Sequence, residues 1–256
     1  MSKIKDAFEN GKAFIGFVTA GDPNLKTSEQ IMLSMARAGC DLIEIGIPFS
    51  DPIAEGPVIQ EANLRSLSQG TTTDKVFELT KKVSAQVDIP LVYMTYLNVL
   101  FKYGYDRFLQ NAKDSGISGV IIPDMPYEEK DELQCVAKKY GIEVVSLIAP
   151  TSEDRIKMIA SDAEGFVYTV SSLGVTGTRS EIKTDLESIT RAIKEATDIP
   201  VAIGFGINTP EQAKKYSHLA DGVIVGSAIV KLIAQYGENA PQRVYEYVKS
   251  MKDAIR

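Results

Sequence analysis

The chain has 256 residues, with 28 Lys and Arg against 34 Asp and Glu and a formal net charge of −6. An acidic chain without a basic stripe is a poor candidate for nucleic-acid binding, and no apolar run reaches the ~18 residues of a membrane span. A single histidine, His218, excludes a Ser-His-Asp triad built elsewhere and any multi-histidine metal centre.

In chain order, Val- and Ile-rich runs at 14–19, 41–47, 90–95, 118–122, 143–148, 165–170, 200–205 and 221–225 predict eight strands. Their continuous apolarity suits strands covered on both faces, hence a parallel sheet. The segments between them have helical period and start signals. Thr27 and Gln30 fit a capping box ahead of Ile31, Met35 and Ala38, and Thr184 and Glu187 fit another ahead of Ile189 and Ile193. Thr209-Pro210-Glu211-Gln212 supplies a cap, a first-turn proline and a third-position glutamine. Gly39, Gly116 and Gly141 are predicted helix stops. The N-terminal segment lacks the apolar region of a signal peptide. Cys40 and Cys135 have no metal spacing and read as small core residues of a cytoplasmic protein.

Eight successive βα units predict an α/β fold: a (β/α)8 TIM barrel, one domain over residues 1–256, with extra helices at the N-terminus and at the end of the eighth strand. Barrels of this type often run to about 250 residues as one domain. An open doubly wound sheet is the alternative, and the first strand lacks the GxGxxG fingerprint expected there.

Active sites of such barrels lie at the C-terminal ends of the strands. In the second strand Leu42, Glu44 and Gly46 alternate with three isoleucines that suit the helix-facing side, which sends Glu44 to the barrel interior. An interior salt bridge would explain it structurally, but none of the predicted strands contains Lys or Arg. Burial raises a carboxyl pKa, which suits a proton donor and acceptor near neutrality. The loop that follows holds Asp51, which reads as a turn residue, and Glu55, open between a functional group and a solvated charge.

Residues 171–179, rich in Gly, Ser and Thr, suit a lid over substrate, with an ordinary connection as the alternative. Tyr168 alternates with Phe166 and Val170, and either face of that strand could point inward. Gly204-Phe205-Gly206 and Gly226-Ser227 end the seventh and eighth strands. That is the usual barrel phosphate site, where backbone N–H groups and a helix N-terminus meet an anion. Phe17, Phe49, Tyr96, Tyr168 and Phe205, at strand ends or in the loops after them, suggest a partly aromatic pocket. The strand ends offer no lysine for a Schiff base and no ligand cluster for a metal, so carboxylate acid–base chemistry remains.

The run from Glu44 through Pro52 to Gly56-Pro57, with Gln60, resembles the signature of the tryptophan synthase α subunit family. The resemblance continues through 17–23, 96–98, 123–126, 174–177, 204–207 and 226–230 and so covers essentially the whole chain. It implies a lyase of tryptophan biosynthesis that splits indole-3-glycerol phosphate into indole and glyceraldehyde 3-phosphate. It further implies no cofactor in this chain, and a pyridoxal-phosphate β subunit in an αββα complex that receives the indole.

By the same resemblance, Glu44 is the acid/base, Glu55 the loop acid on the indole N–H, and Tyr168 the active-site tyrosine. Thr176 orders the lid, and Gly177, Gly206, Gly226 and Ser227 cradle phosphate. Phe17, Tyr96 and Phe205 are expected to bind substrate from their positions at the strand ends, not from the resemblance. Loop two, the Asp124 segment and the lid match regions that face the β subunit. The family's loop acid is usually aspartate; Glu55 keeps the charge on a side chain longer by one methylene. The lid also lacks the arginine common in the family. A non-catalytic, regulatory α-like subunit is the alternative that Glu55 motivates.

Overall fold

The structure, a computed structural model, describes residues 3–170, 185–204 and 206–256. After the short helix α1 (Lys3–Asp6), the first units are β1 (Ala13–Thr19), α2 (Leu25–Arg37), β2 (Leu42–Gly46), α3 (Pro57–Ser68) and α4 (Thr73–Ser84). Next come β3 (Leu91–Met94), α5 (Leu97–Tyr103), α6 (Tyr105–Asp114), β4 (Gly119–Ile121) and α7 (Lys130–Tyr140). The chain continues through β5 (Glu143–Ile148), α8 (Glu153–Ser161), β6 (Glu164–Val170), α9 (Leu186–Ala196), β7 (Val201–Gly204) and α10 (Pro210–Ser217). It closes with β8 (Gly222–Val225), α11 (Ser227–Tyr236) and α12 (Ala240–Ala254).

All eight strands are parallel and close into a barrel in sequence order, with β1 pairing both β2 and β8. This is the TIM barrel expected from the eight apolar runs. The strands are shorter than several of those runs, because the flanking residues turn into the connections.

Alternation along each strand divides the core in two. Ile15, Leu42, Val92, Ile121, Val145, Phe166, Ala202 and Ile224 fill the interior. Phe14, Val18, Ile43, Ile45, Tyr93, Val120, Val167 and Val223 face the helix layer. Burial of each of the larger side chains among them contributes about 2 kcal/mol. Ile4, Ala7 and Phe8 close the barrel floor, with the Phe8 ring 5.8 Å from Phe166. The N-terminal segment is therefore part of the core.

Two helix starts differ from expectation. Asn24, not Thr27, caps α2; its side chain accepts from the Thr27 N–H at 2.9 Å. Asp185 caps α9, accepting from the Ser188 N–H at 3.1 Å; Thr184 lies outside the described residues. In both places a second polar residue at the helix start takes the role, and the chain enters the helix there. Thr209 caps α10 as expected, and the Gln212 side chain reaches back to the Asn208 N–H. Gly39, Gly116 and Gly141 follow their helices with φ of 96°, 85° and 68°, the left-handed turn that favours glycine. Cys40 is buried, but Cys135 is exposed on α7, so only the first is a core residue.

Candidate active site

The C-terminal ends of the strands surround a cleft of about 710 Å³, counting its open mouth. Glu44 and Glu55 both line it, with Phe17, Tyr96, Tyr168, Gly206, Gly226 and Ser227. Met94, Pro123, Leu147, Ile59 and Ile224 complete an apolar wall.

Glu44 sits mid-strand on β2, with Phe17 of β1 and Val92 of β3 as its register neighbours. It is fully buried, and neither carboxylate oxygen has a hydrogen-bond partner among the described residues. The interior salt bridge weighed from sequence is absent among those residues. Desolvation alone pushes the carboxyl pKa up to about 8. A group so placed is protonated at neutral pH and close to giving its proton up.

Tyr168 points into the same interior, which settles the face of β6: Phe166, Tyr168 and Val170 are inside. Burial, and then the nearby Glu44 charge, hold its phenol well above the ordinary range, so it stays a neutral O–H. Two glycines make room for the rings beside Glu44. A Cβ on Gly46 would lie 2.6 Å from the Phe17 ring, and one on Gly204 would lie 2.7 Å from the Tyr168 hydroxyl.

Glu55 comes from the β2–α3 loop and is half-buried rather than solvated. Asn63 donates to its Oε2 at 2.6 Å. Burial pushes the Glu55 carboxyl up to about 7, against hydrogen bonds from Asn63 and Tyr96 that favour the charged form. The Tyr96 hydroxyl in turn accepts from the Ala54 N–H at 3.1 Å. Asp51 is exposed and bonded by the Ser50 hydroxyl, in keeping with its reading as a turn residue.

Gly206, at φ 91°, and the Gly226-Ser227 start of α11 border the cleft together. Gly226 caps α11 with no side-chain hydrogen bond. The first turn of a helix leaves N–H groups without intrahelical partners, a setting for an anion. Phe49 is not among the residues lining the cleft; its ring packs on Tyr96 at 5.4 Å. Thr176, Gly177 and Phe205 lie outside the described residues.

Asn63 was missed in the sequence, although a signal was present. Ile59, Ala62, Asn63 and Ser66 form one buried face of α3, and an amide on such a face needs a partner. Among the described residues, no cluster of three or more His, Cys, Asp or Glu could hold a metal ion, and no helix is long and apolar enough to cross a membrane.

Comparison with known proteins agrees with this architecture. The family model described as tryptophan synthase alpha chain matches residues 3–256. The tryptophan synthase alpha chain of Lactiplantibacillus plantarum is 50% identical over 256 residues, covering 100% of this chain and 97% of the relative. That of Lacticaseibacillus casei is 47% identical over 255 residues, covering 100% and 96%. The crystal structure of the alpha chain from Legionella pneumophila subsp. pneumophila superposes with a TM-score of 0.90 at 34% identity, covering 100% of this chain and 97% of that one. A barrel with this cleft and similarity of this extent over its whole length place the chain in the tryptophan synthase alpha chain family.

Proposed function

We propose that this cleft carries the family's lyase reaction, the cleavage of indole-3-glycerol phosphate to indole and glyceraldehyde 3-phosphate, with Glu44 as both acid and base. The reaction follows from the family; the residue roles rest on the geometry. The observation that carries them is a buried, unpartnered carboxyl pushed up to about 8 on the cleft wall.

The proton cycle closes on one group. Glu44 gives its proton to indole C3, and positive charge develops on the ring N–H. Glu55, as carboxylate, accepts a hydrogen bond from that N–H and stabilises the charge. Glu44, now ionised, takes the proton of the adjacent glycerol hydroxyl. The C–C bond breaks, its electron pair returns to the ring, and the alkoxide oxygen becomes the aldehyde carbonyl. No electron acceptor is needed, so the cycle requires no cofactor in this chain.

Phe17, Tyr96 and Phe205 hold the indole ring. Tyr168 offers a neutral O–H beside Glu44. Gly206, Gly226 and Ser227 take the phosphate with Gly177, and Thr176 orders a lid. With Glu55 pushed up to about 7, its ionised state depends on the hydrogen bonds that favour the charge.

The partner is a β subunit carrying pyridoxal phosphate, in an αββα assembly that takes up the indole. Ile53, a large apolar side chain 73% exposed, lies in the β2–α3 loop after the C-terminal end of β2, and this supports partner contact through that loop. Two free cysteines support a cytoplasmic location. Barrel closure between β1 and β8 supports one domain over the chain. Nothing favours the regulatory alternative, since Glu55 keeps its carboxylate on the cleft.

The test is indole release from indole-3-glycerol phosphate, with and without a β subunit. Glu44→Gln is expected to lower kcat by about 10²–10⁴ with KM little changed. Near-normal turnover by this variant would overturn the assignment.

A further inference from the structure

Loop two is pinned at several points next to Glu55. The Ala54 N–H donates to the Tyr96 hydroxyl at 3.1 Å. Gln60 Nε2 donates to the Glu55 carbonyl at 2.7 Å, and α3 begins at once, with Gly56 as its cap. The Glu55 backbone is thus held on both sides. Its side-chain torsions remain, and a glutamate has one more of them to order than an aspartate.

Asn63 restricts that freedom, alongside the Tyr96 hydroxyl that also hydrogen-bonds the carboxylate. Asn63 lies two turns along α3, 3% exposed, with its amide on Glu55 Oε2 at 2.6 Å. The helix that carries it is itself fixed to the β1–α2 loop. Ser66 Oγ donates to the Ala20 carbonyl at 2.6 Å, and Arg65 makes a two-pronged ion pair with the buried Asp22 at 2.8 Å. Rigid contacts therefore run from that loop through α3 to Asn63 and end on the Glu55 carboxylate.

We propose that Asn63 is a positioning residue for the lyase reaction, acting through Glu55: its buried amide aims the longer carboxylate at the place where the indole N–H binds. Asn63 touches no reacting atom, and the inference rests on the reading of Glu55 as the indole anchor. A misplacement of ~1 Å at such a group costs about 100-fold in rate. The isosteric Asn63→Asp keeps the shape but replaces the donor with an acceptor facing a carboxylate.

The experiment measures kcat and KM for indole-3-glycerol phosphate cleavage by the full chain with its β subunit. The variants are Asn63→Ala, Asn63→Asp, Glu55→Ala and the Glu55→Ala/Asn63→Ala double variant. Thermal melting checks that each is folded; if Asn63→Ala is not, Asn63→Asp carries the comparison, in its own double variant with Glu55→Ala. Both Asn63 variants are expected to lose at least about tenfold in kcat/KM, mostly in kcat. In the Glu55→Ala background the second change is expected to cost less than about twofold, because residues acting as one unit are not additive.

An Asn63 loss that stays the same size in that background overturns the proposal, because the residue then acts independently of Glu55. A damaging Glu55→Ala with Asn63 variants at parent activity also overturns it and leaves the indole anchor standing. A fully active Glu55→Ala overturns the anchor reading and this inference with it.

Discussion

Glu44 was legible because strand alternation has only two outcomes, and the isoleucines on either side of it had to meet the helices. Its charge state has a consequence for stability. The folded carboxyl titrates near 8 against an ordinary value of 4.5, so the folded state holds more protons than the unfolded state between those values. Stability therefore falls as pH rises through that window. Glu44→Gln removes the liability: it is expected to be more stable than the parent at pH 8, by up to roughly 4 kcal/mol, and to lose most of that advantage near pH 5. Denaturant titrations at the two pH values check this, and a constant difference would mean that Glu44 is ionised in the fold. Glu55 and Phe49 were less legible. The burial of one and the orientation of the other depend on Asn63 and Tyr96, which come from other segments.

At the scale of elements, the strands followed from Val- and Ile-rich runs and several helix ends from glycine, whereas the starts of α2 and α9 did not. Asn, Ser, Thr and Asp can all cap a helix, and neighbouring candidates differ by tenths of a kcal/mol. The path of the incoming chain decides between them. Asn24 leads the well-packed α2, whose Ile31, Met32 and Met35 are buried. Asn24→Ala is expected to destabilise the protein by about 1 kcal/mol. Thr27→Ala should not produce that loss through capping, since it is the Thr27 backbone N–H that Asn24 receives. Equilibrium unfolding of the two variants distinguishes the caps.

Across the whole molecule, chemistry and anchoring lie at opposite ends of the barrel. The cleft occupies the C-terminal ends of the strands, while Lys252 of α12 works at the other end, near the starts of β1 and β2. Its Nζ donates to Asp41 Oδ2 at 2.7 Å and to the Lys12 carbonyl at 2.8 Å, and Asp41 also accepts from the Phe14 N–H. Lys252→Met leaves a half-buried carboxylate and a carbonyl short of a partner. It is expected to cost about 2–4 kcal/mol of stability. At temperatures where the variant is folded, kcat/KM is expected to stay within about twofold of the parent. Melting curves and steady-state rates on the same preparation check both parts, and a large fall in kcat/KM would couple the two ends.

The sequence by itself determined the alternation of strand and helix, the inward turn of Glu44 and the glycine stops, because each depends on periodicity or a local backbone preference. The tertiary structure alone decided that Ile4, Ala7 and Phe8 close the floor and that the Tyr168 face of β6, rather than its opposite, points into the barrel. It also decided that Asn63 meets Glu55. These outcomes depend on pairs of residues far apart in the chain or on competing local solutions of similar energy. Their relative positions exist only once the barrel has closed.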